Sequence, residues 1–165
     1  MRRHDRQLSD KAALELLRQG TWGVLCLAGE NAYGVPMNYV LDDAEEATWP
    51  DVFLHCAPEG KKLEYLRKNP SACLCVVTKA EVRREAFSTD YASVMVMARA
   101  EIVRDARERL RILRLFGRRC TPFSLEAIDA YIAPRDARTC LVRLCPLKVS
   151  GKAYNAPEAA KAHGA

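Results

Sequence analysis

No apolar run in this 165-residue sequence approaches the roughly 20 residues needed to span a bilayer. The opening Met1-Arg2-Arg3-His4-Asp5-Arg6 is basic but lacks the apolar segment that a signal peptide requires. Both absences point to a cytoplasmic protein with no membrane partner. Seven cysteines are present (26, 56, 73, 75, 120, 140 and 145), yet no Cys-x-x-Cys pair and no zinc-finger spacing. No metal site is expected. An odd cysteine count in a cytoplasmic chain argues against a disulfide framework. Cys26, Cys73, Cys75 and Cys140 lie in apolar, strand-like runs, where cysteine behaves as a small hydrophobe. Nor does any nucleic-acid module accompany the net charge of +5. Most arginines from Arg104 to Arg119 alternate with Leu110, Leu113 and Leu115, which reads as a charged outer helix face over an apolar inner one. No nucleic-acid partner is expected, and no repeat or linker divides the chain.

What is there fits one globular domain: 49% hydrophobic and 28% charged residues over 18.5 kDa. Ser9-Asp10 predicts a helix start, with Ala12, Ala13, Leu16 and Leu17 on its apolar side and Gly20 at its end. Trp22 to Ala28 and Ala32 to Asp42 form a hairpin about Gly29-Glu30-Asn31. Residues 43–50 read as an exposed acidic loop. Ala72 to Thr78 is a buried strand by its continuous apolarity, and Lys79 to Glu85 is expected to loop out. Tyr91 to Val103 gives a long strand, Asp105 caps a helix through about Phe116, and Ser124 to Ile132 gives another. Thr139 to Leu147 is the last strand, and a loose tail is expected over 153–165. Six strands without regular strand–helix alternation favour a mainly antiparallel barrel with peripheral helices over a doubly wound sheet.

The most informative stretch is Phe53-Leu54-His55-Cys56-Ala57-Pro58-Glu59-Gly60-Lys61-Lys62, followed by Leu63 and Leu66 at helical spacing. Pro58 suits a first helical turn. A strand that breaks into a helix leaves free N–H groups at the positive end of the helix dipole, a ready anion site. Gly60 admits close backbone approach, and Lys61 and Lys62 add formal charge. The same residues also suit a plain strand–helix junction with a solvated lysine face, and the residues alone leave both readings open.

This stretch, with Leu66 and Asn69-Pro70 after it, resembles the hallmark of the 5-nitroimidazole-resistance flavoproteins, a branch of the pyridoxamine-phosphate-oxidase-like FMN-binding split barrels. The resemblance covers about residues 1–152 and extends to Pro36-Met37-Asn38-Tyr39, Ser93-Val94 and Ser150-Gly151-Lys152. It implies a six-stranded split β-barrel domain binding FMN. Lys61, Lys62 and the helix start at Gly60 would face the 5′-phosphate, and Pro36, Met37, Asn38, Tyr39 and Cys56 would line the cofactor. Ser93 would add a hydroxyl from the same subunit or across a homodimer. His55, the family's histidine near flavin and substrate, is the candidate catalytic residue; its alternative is a strand-end histidine satisfying the backbone. The implied activity passes electrons from NAD(P)H to a small acceptor such as a nitroaromatic compound. The alternative is a flavin- or haem-binding protein without turnover. A true pyridoxamine-phosphate oxidase is disfavoured, because that enzyme's C-terminal arginine motif has no counterpart. Ala92 and Ala98 stand where many relatives carry a charged residue and a glycine.

Overall fold

The computed structural model describes residues 3–43 and 48–156. Among these, six strands and four helices follow in the order α1 (Asp10–Gln19), β1 (Trp22–Leu27), β2 (Tyr33–Asp42), β3 (Asp51–Cys56), α2 (Lys61–Lys68), β4 (Ser71–Arg83), β5 (Ser88–Ile102), α3 (Ala106–Cys120), α4 (Leu125–Ile132) and β6 (Cys140–Tyr154). The strands close an antiparallel split barrel in the order β1-β2-β3-β6-β5-β4. The wall is split at β2, which pairs with β1 through residues 33–38 and with β3 only through residues 39–42.

Alternation along the strands builds two cores. The inward rows, including Leu25, Leu54, Leu74, Val94 and Leu144, fill the barrel, and α1 adds Ala12, Ala13, Leu16 and Leu17 to the same cluster. Ser9 Oγ accepts the Ala12 N–H at 3.2 Å, which starts α1 where the sequence places it. Gly151 carries this packing: a Cβ there would meet Leu8 at 2.9 Å and Ala13 at 3.0 Å. The second core lies on the outer wall, where Val40, Phe53 and Leu141 meet Ile112 and Phe116 of α3. Asp105 Oδ1 caps α3 through the Glu108 N–H at 2.8 Å. The helix runs to Cys120, one turn past its expected end near Phe116.

Three expectations need correction. Lys79 to Arg83 does not loop out but continues β4, pairing with residues 88–92 of β5 in an arm that is two-stranded beyond Tyr91. A backbone ladder needs no apolar face, so the charged side chains there conceal the strand; Arg83 pairs with buried Asp90 at 3.2 Å. The last strand extends through Tyr154, because a bulge opposite Met97 and Ala98 absorbs the Pro146-Leu147 break and resumes pairing at Lys148. Ala153 and Tyr154 are therefore strand and not tail, while 157–165 lie outside the described residues. Finally, α2 starts at Lys61, leaving Pro58 in the preceding turn, because Gly60 has φ +129 and cannot be helical. Part of the acidic loop at 43–50 also lies outside the described residues.

Ala92 and Ala98 both face the barrel interior, 0% and 3% exposed. Neither reaches the outer wall. No described helix is long and apolar enough to cross a membrane.

Candidate functional site

The outward rows of β2, β3 and β6 define the site. Val40, Phe53 and Leu141 lie beneath α3. Two residues further along β2 and β3 the cover ends, and Asn38 and His55 emerge on the same outer face. A groove of about 600 Å³ opens there, lined by Pro36, Asn38, His55, Lys62, Arg138 and Thr139. An adjoining cavity of about 540 Å³ shares Asn38, His55 and Thr139 and runs between α3 and α4 past Phe116, Phe123 and Tyr131. One groove has charge at one end; its neighbour is walled by rings and aliphatic side chains.

At the charged end, no side chain caps α2. Gly60 O accepts from Leu63 N and Glu64 N, at 3.0 and 3.2 Å, which leaves the Lys61 and Lys62 N–H groups without an acceptor inside the helix. Lys62 is half-buried and lines the groove, whereas Lys61 lies over the Tyr33 ring, its Nζ 5.0 Å from the centroid. The two lysines thus diverge. Gly60 is required for its positive φ and not for close packing, since nothing lies within 4 Å of a Cβ there.

The β2 run divides by strand alternation. Pro36 and Asn38 are exposed on the groove side, while Met37 and Tyr39 face the barrel core at 8% and 2% exposure. The Tyr39 hydroxyl donates to Leu17 O at 2.5 Å. Burial raises its pKa and commits the side chain to α1. The Tyr39 side chain therefore points away from the outer face, and Met37 meets the groove only at its margin.

His55 projects outward and packs against Phe116. This partial burial lowers its pKa below the ordinary 6.5, so the ring is neutral at pH 7. Cys56 borders the groove, but its thiol belongs to the inward row and lies against Cys140, its direct partner across β3 and β6. Ser93 stands elsewhere. It lies on the outer face of β5, separated from β3 by β6 and from β2 by β4 and β1. Within one subunit it does not join the groove.

Sequence reasoning missed Arg138 and Thr139. Neither carries a local signal; both reach the groove because the turn after α4 is clamped from a distance. Arg109, 15% exposed at its side chain, donates to Asp136 O, Asp136 Oδ1 and Thr139 O at 3.0, 2.5 and 2.8 Å. Arg114 and Asp129 add a bidentate pair, both bonds 2.7 Å, between α3 and α4.

The family model for pyridoxamine 5′-phosphate oxidase matches residues 9–153. Among solved structures, a candidate 5-nitroimidazole antibiotic resistance protein from Bacteroides thetaiotaomicron superposes with a TM-score of 0.65 at 21% identity, covering 88% of this chain and 85% of that one. A flavocytochrome from Azotobacter vinelandii gives 0.68 at 19% identity over 94% and 72% of the two chains. An FAD binding protein from Mycobacterium smegmatis gives 0.61 at 20% over 90% and 99%. These likenesses concern the fold. No curated protein gives a significant match.

Proposed function

The chain belongs to the pyridoxamine 5′-phosphate oxidase family, and on that premise we propose that it is a flavoprotein binding FMN and passing electrons from NAD(P)H to a small aromatic acceptor such as a nitroaromatic compound. The observation that carries this reading is one groove joining an uncapped helix start and Lys62 to Asn38 and His55. The donor set fits a phosphorylated planar group. Free N–H groups and an ammonium suit a phosphate dianion, and the flat outer wall at Pro36 and Asn38 suits a ring system. The bound flavin would supply the redox chemistry.

The chain's own residues divide the remaining work. Lys62 and the α2 start hold the phosphate end. Asn38 offers an amide, with one donor and one acceptor face, to the ring edge. Neutral His55 exchanges a single hydrogen bond where the two cavities meet, and its contact with Phe116 fixes the ring plane. The acceptor enters between α3 and α4, where Phe116, Phe123 and Tyr131 favour an aromatic body. The relatives named a flavocytochrome and an FAD binding protein support a flavin of this general class.

The partner is a second copy of the chain. An outward row crosses four strands through Pro36, Val24, Cys75 and Met95, so the groove's edge continues into an apolar wall. Trp22, Val77, Met95 and Met97 on that wall are 38–50% exposed, more apolar surface than a charged outer face would carry. A copy seated there shields these side chains and carries its Ser93 to the seam.

The test is the visible spectrum of the purified protein, followed by titration with FMN and then by NADH or NADPH with a nitroaromatic acceptor. Flavin absorption with acceptor-dependent NAD(P)H oxidation is expected. A haem-type spectrum, or bound flavin that NAD(P)H fails to reduce, overturns the oxidoreductase reading. A colourless protein indifferent to FMN overturns the cofactor.

A further inference from the structure

Two cysteines face each other directly below the groove. Cys56 ends β3, Cys140 begins β6, and they are register partners in an antiparallel pair. Residues so placed have Cα atoms about 4.5–5.5 Å apart, inside the roughly 4.4–6.8 Å that a disulfide spans. Both are free thiols, Cys56 half-buried and Cys140 buried at 9% exposure. Each thiol is the leading influence on the other's ionisation.

From this juxtaposition we propose that Cys56 and Cys140 form an oxidisable dithiol, a modification site that hydrogen peroxide converts to an intramolecular disulfide.

The electrostatics supply a nucleophile. A hydrogen bond from Cys56, aided by the positive charges of Arg109, Arg67 and Arg104, pulls the Cys140 thiol down to about 7, while Cys56 is pushed up. The pair gives up its first proton easily and holds the second, the arrangement in which one thiolate attacks and one thiol resolves. The Cys140 thiolate attacks one peroxide oxygen. The O–O bond breaks, hydroxide leaves and takes a proton as water, and Cys140 becomes a sulfenic acid. Cys56 sulfur then bonds to Cys140 sulfur, the S–O bond breaks, and the departing hydroxide takes the Cys56 proton as a second water. Two thiols lose two electrons to one peroxide. A dithiol reductant reverses the change.

The chain contains its own comparison. Cys26 and Cys73 are also register partners, on β1 and β4. Burial and two neighbouring thiols raise Cys73 to about 11, so Cys73 holds little thiolate at neutral pH. Cys120 is the exposed cysteine. If access alone ruled, Cys120 would react first. If the facing pair and its cationic surroundings rule, Cys140 does.

The experiment uses the reduced full-length chain at pH 7, treated with hydrogen peroxide, quenched with N-ethylmaleimide and mapped by mass spectrometry without reduction. The expected product is a cross-linked peptide joining Cys56 to Cys140, forming at least about tenfold faster than any Cys26–Cys73 link. Cys56→Ser should stop the reaction at a sulfenic acid on Cys140, trapped by dimedone, and Cys140→Ser should abolish both label and cross-link. Circular dichroism of each variant checks that the barrel is intact. Recovery of Cys56 and Cys140 fully alkylated after Cys120 or Cys73 has oxidised overturns the proposal, as does oxidation of either to a sulfinic acid without a link. No flavin is needed, so failure here leaves the flavin reading untouched.

Discussion

His55 meets Phe116 edge-on, the ring centroids 4.7 Å apart and the planes at 87°. A residue at the end of β3 is thereby oriented by the last buried residue of α3. Partial desolvation of the imidazole lowers its pKa, and Phe116 is the ring packed against it. Phe116→Leu should return the His55 pKa towards 6.5, read by NMR titration of the ring protons, at a stability cost of about 1 kcal/mol. The sign on stability follows. A histidine depressed in the fold is protonated first in the unfolded chain, so His55 makes wild-type stability fall as pH drops through 6.5 and level off below the folded pKa. Denaturant melts at pH 7.5 and 5.5 should show a smaller loss for the variant. An unchanged NMR pKa would sink the assigned cause.

The divergence of Lys61 and Lys62 gives a sharper version of the phosphate assignment. Lys62 faces the groove and Lys61 covers Tyr33. Lys62→Ala should weaken FMN binding about tenfold or more, the worth of one charge-assisted hydrogen bond. Lys61→Ala should cost much less. Calorimetric titration of both variants separates them, and equal losses would show that bulk charge matters and not the facing side chain.

How much of this was legible beforehand depends on the range of the cause. Caps and periodicities act locally, and Ser9, Asp105 and Ser124 start their helices where the sequence places them. The hairpin about Gly29 to Asn31 and the barrel class followed from turn chemistry and apolar runs. The site was half legible. Pro36, Asn38, His55 and Lys62 converge, but strand alternation sends Tyr39 inward, a consequence of period 2 that the sequence already contained. Arg138 and Thr139 were invisible because a half-buried arginine about thirty residues away in sequence brings them in. The 79–83 arm was hidden because a ladder stabilised by backbone bonds shows no apolar alternation.

That arginine supports a stability prediction. Arg109 reaches three acceptors on the turn that carries the groove's far wall. Arg109→Met removes the bonds and takes this donor from the Thr139 carbonyl, while Asp136 O keeps the Thr139 N–H. The expected loss is about 3 kcal/mol, seen as a shifted urea midpoint, with Arg109→Lys recovering little because a single ammonium cannot match the fork. A shift under about 0.5 kcal/mol would mean the turn is held by its own backbone bonds.

Gly117 sets how closely α4 lies on α3. A Cβ there would come within 2.5 Å of Ile128 Cγ2. Gly117→Ala should push α4 outward and widen the cavity between the helices, costing about 1–3 kcal/mol. Because Lys62 and α2 are not involved, FMN affinity should hold while KM for a nitroaromatic acceptor changes. Loss of flavin with unchanged KM would disconnect this cavity from the acceptor.

The apolar outer wall predicts the state of assembly. Val77 and Met95 are 42% and 38% exposed, and Ser93 stands on the same face, opposite Val77 and two residues from Met95. Val77→Glu with Met95→Glu places two carboxylates where the proposed partner must dry the surface, a penalty of several kcal/mol per buried ion. Sedimentation should show the wild-type chain as a dimer and the double variant as a monomer with unchanged circular dichroism. If Ser93 serves the partner's groove, the monomer should also bind FMN less tightly although every groove residue of its own is intact. A monomer that keeps full affinity would confine the site to one subunit, and a wild-type monomer would remove the dimer altogether.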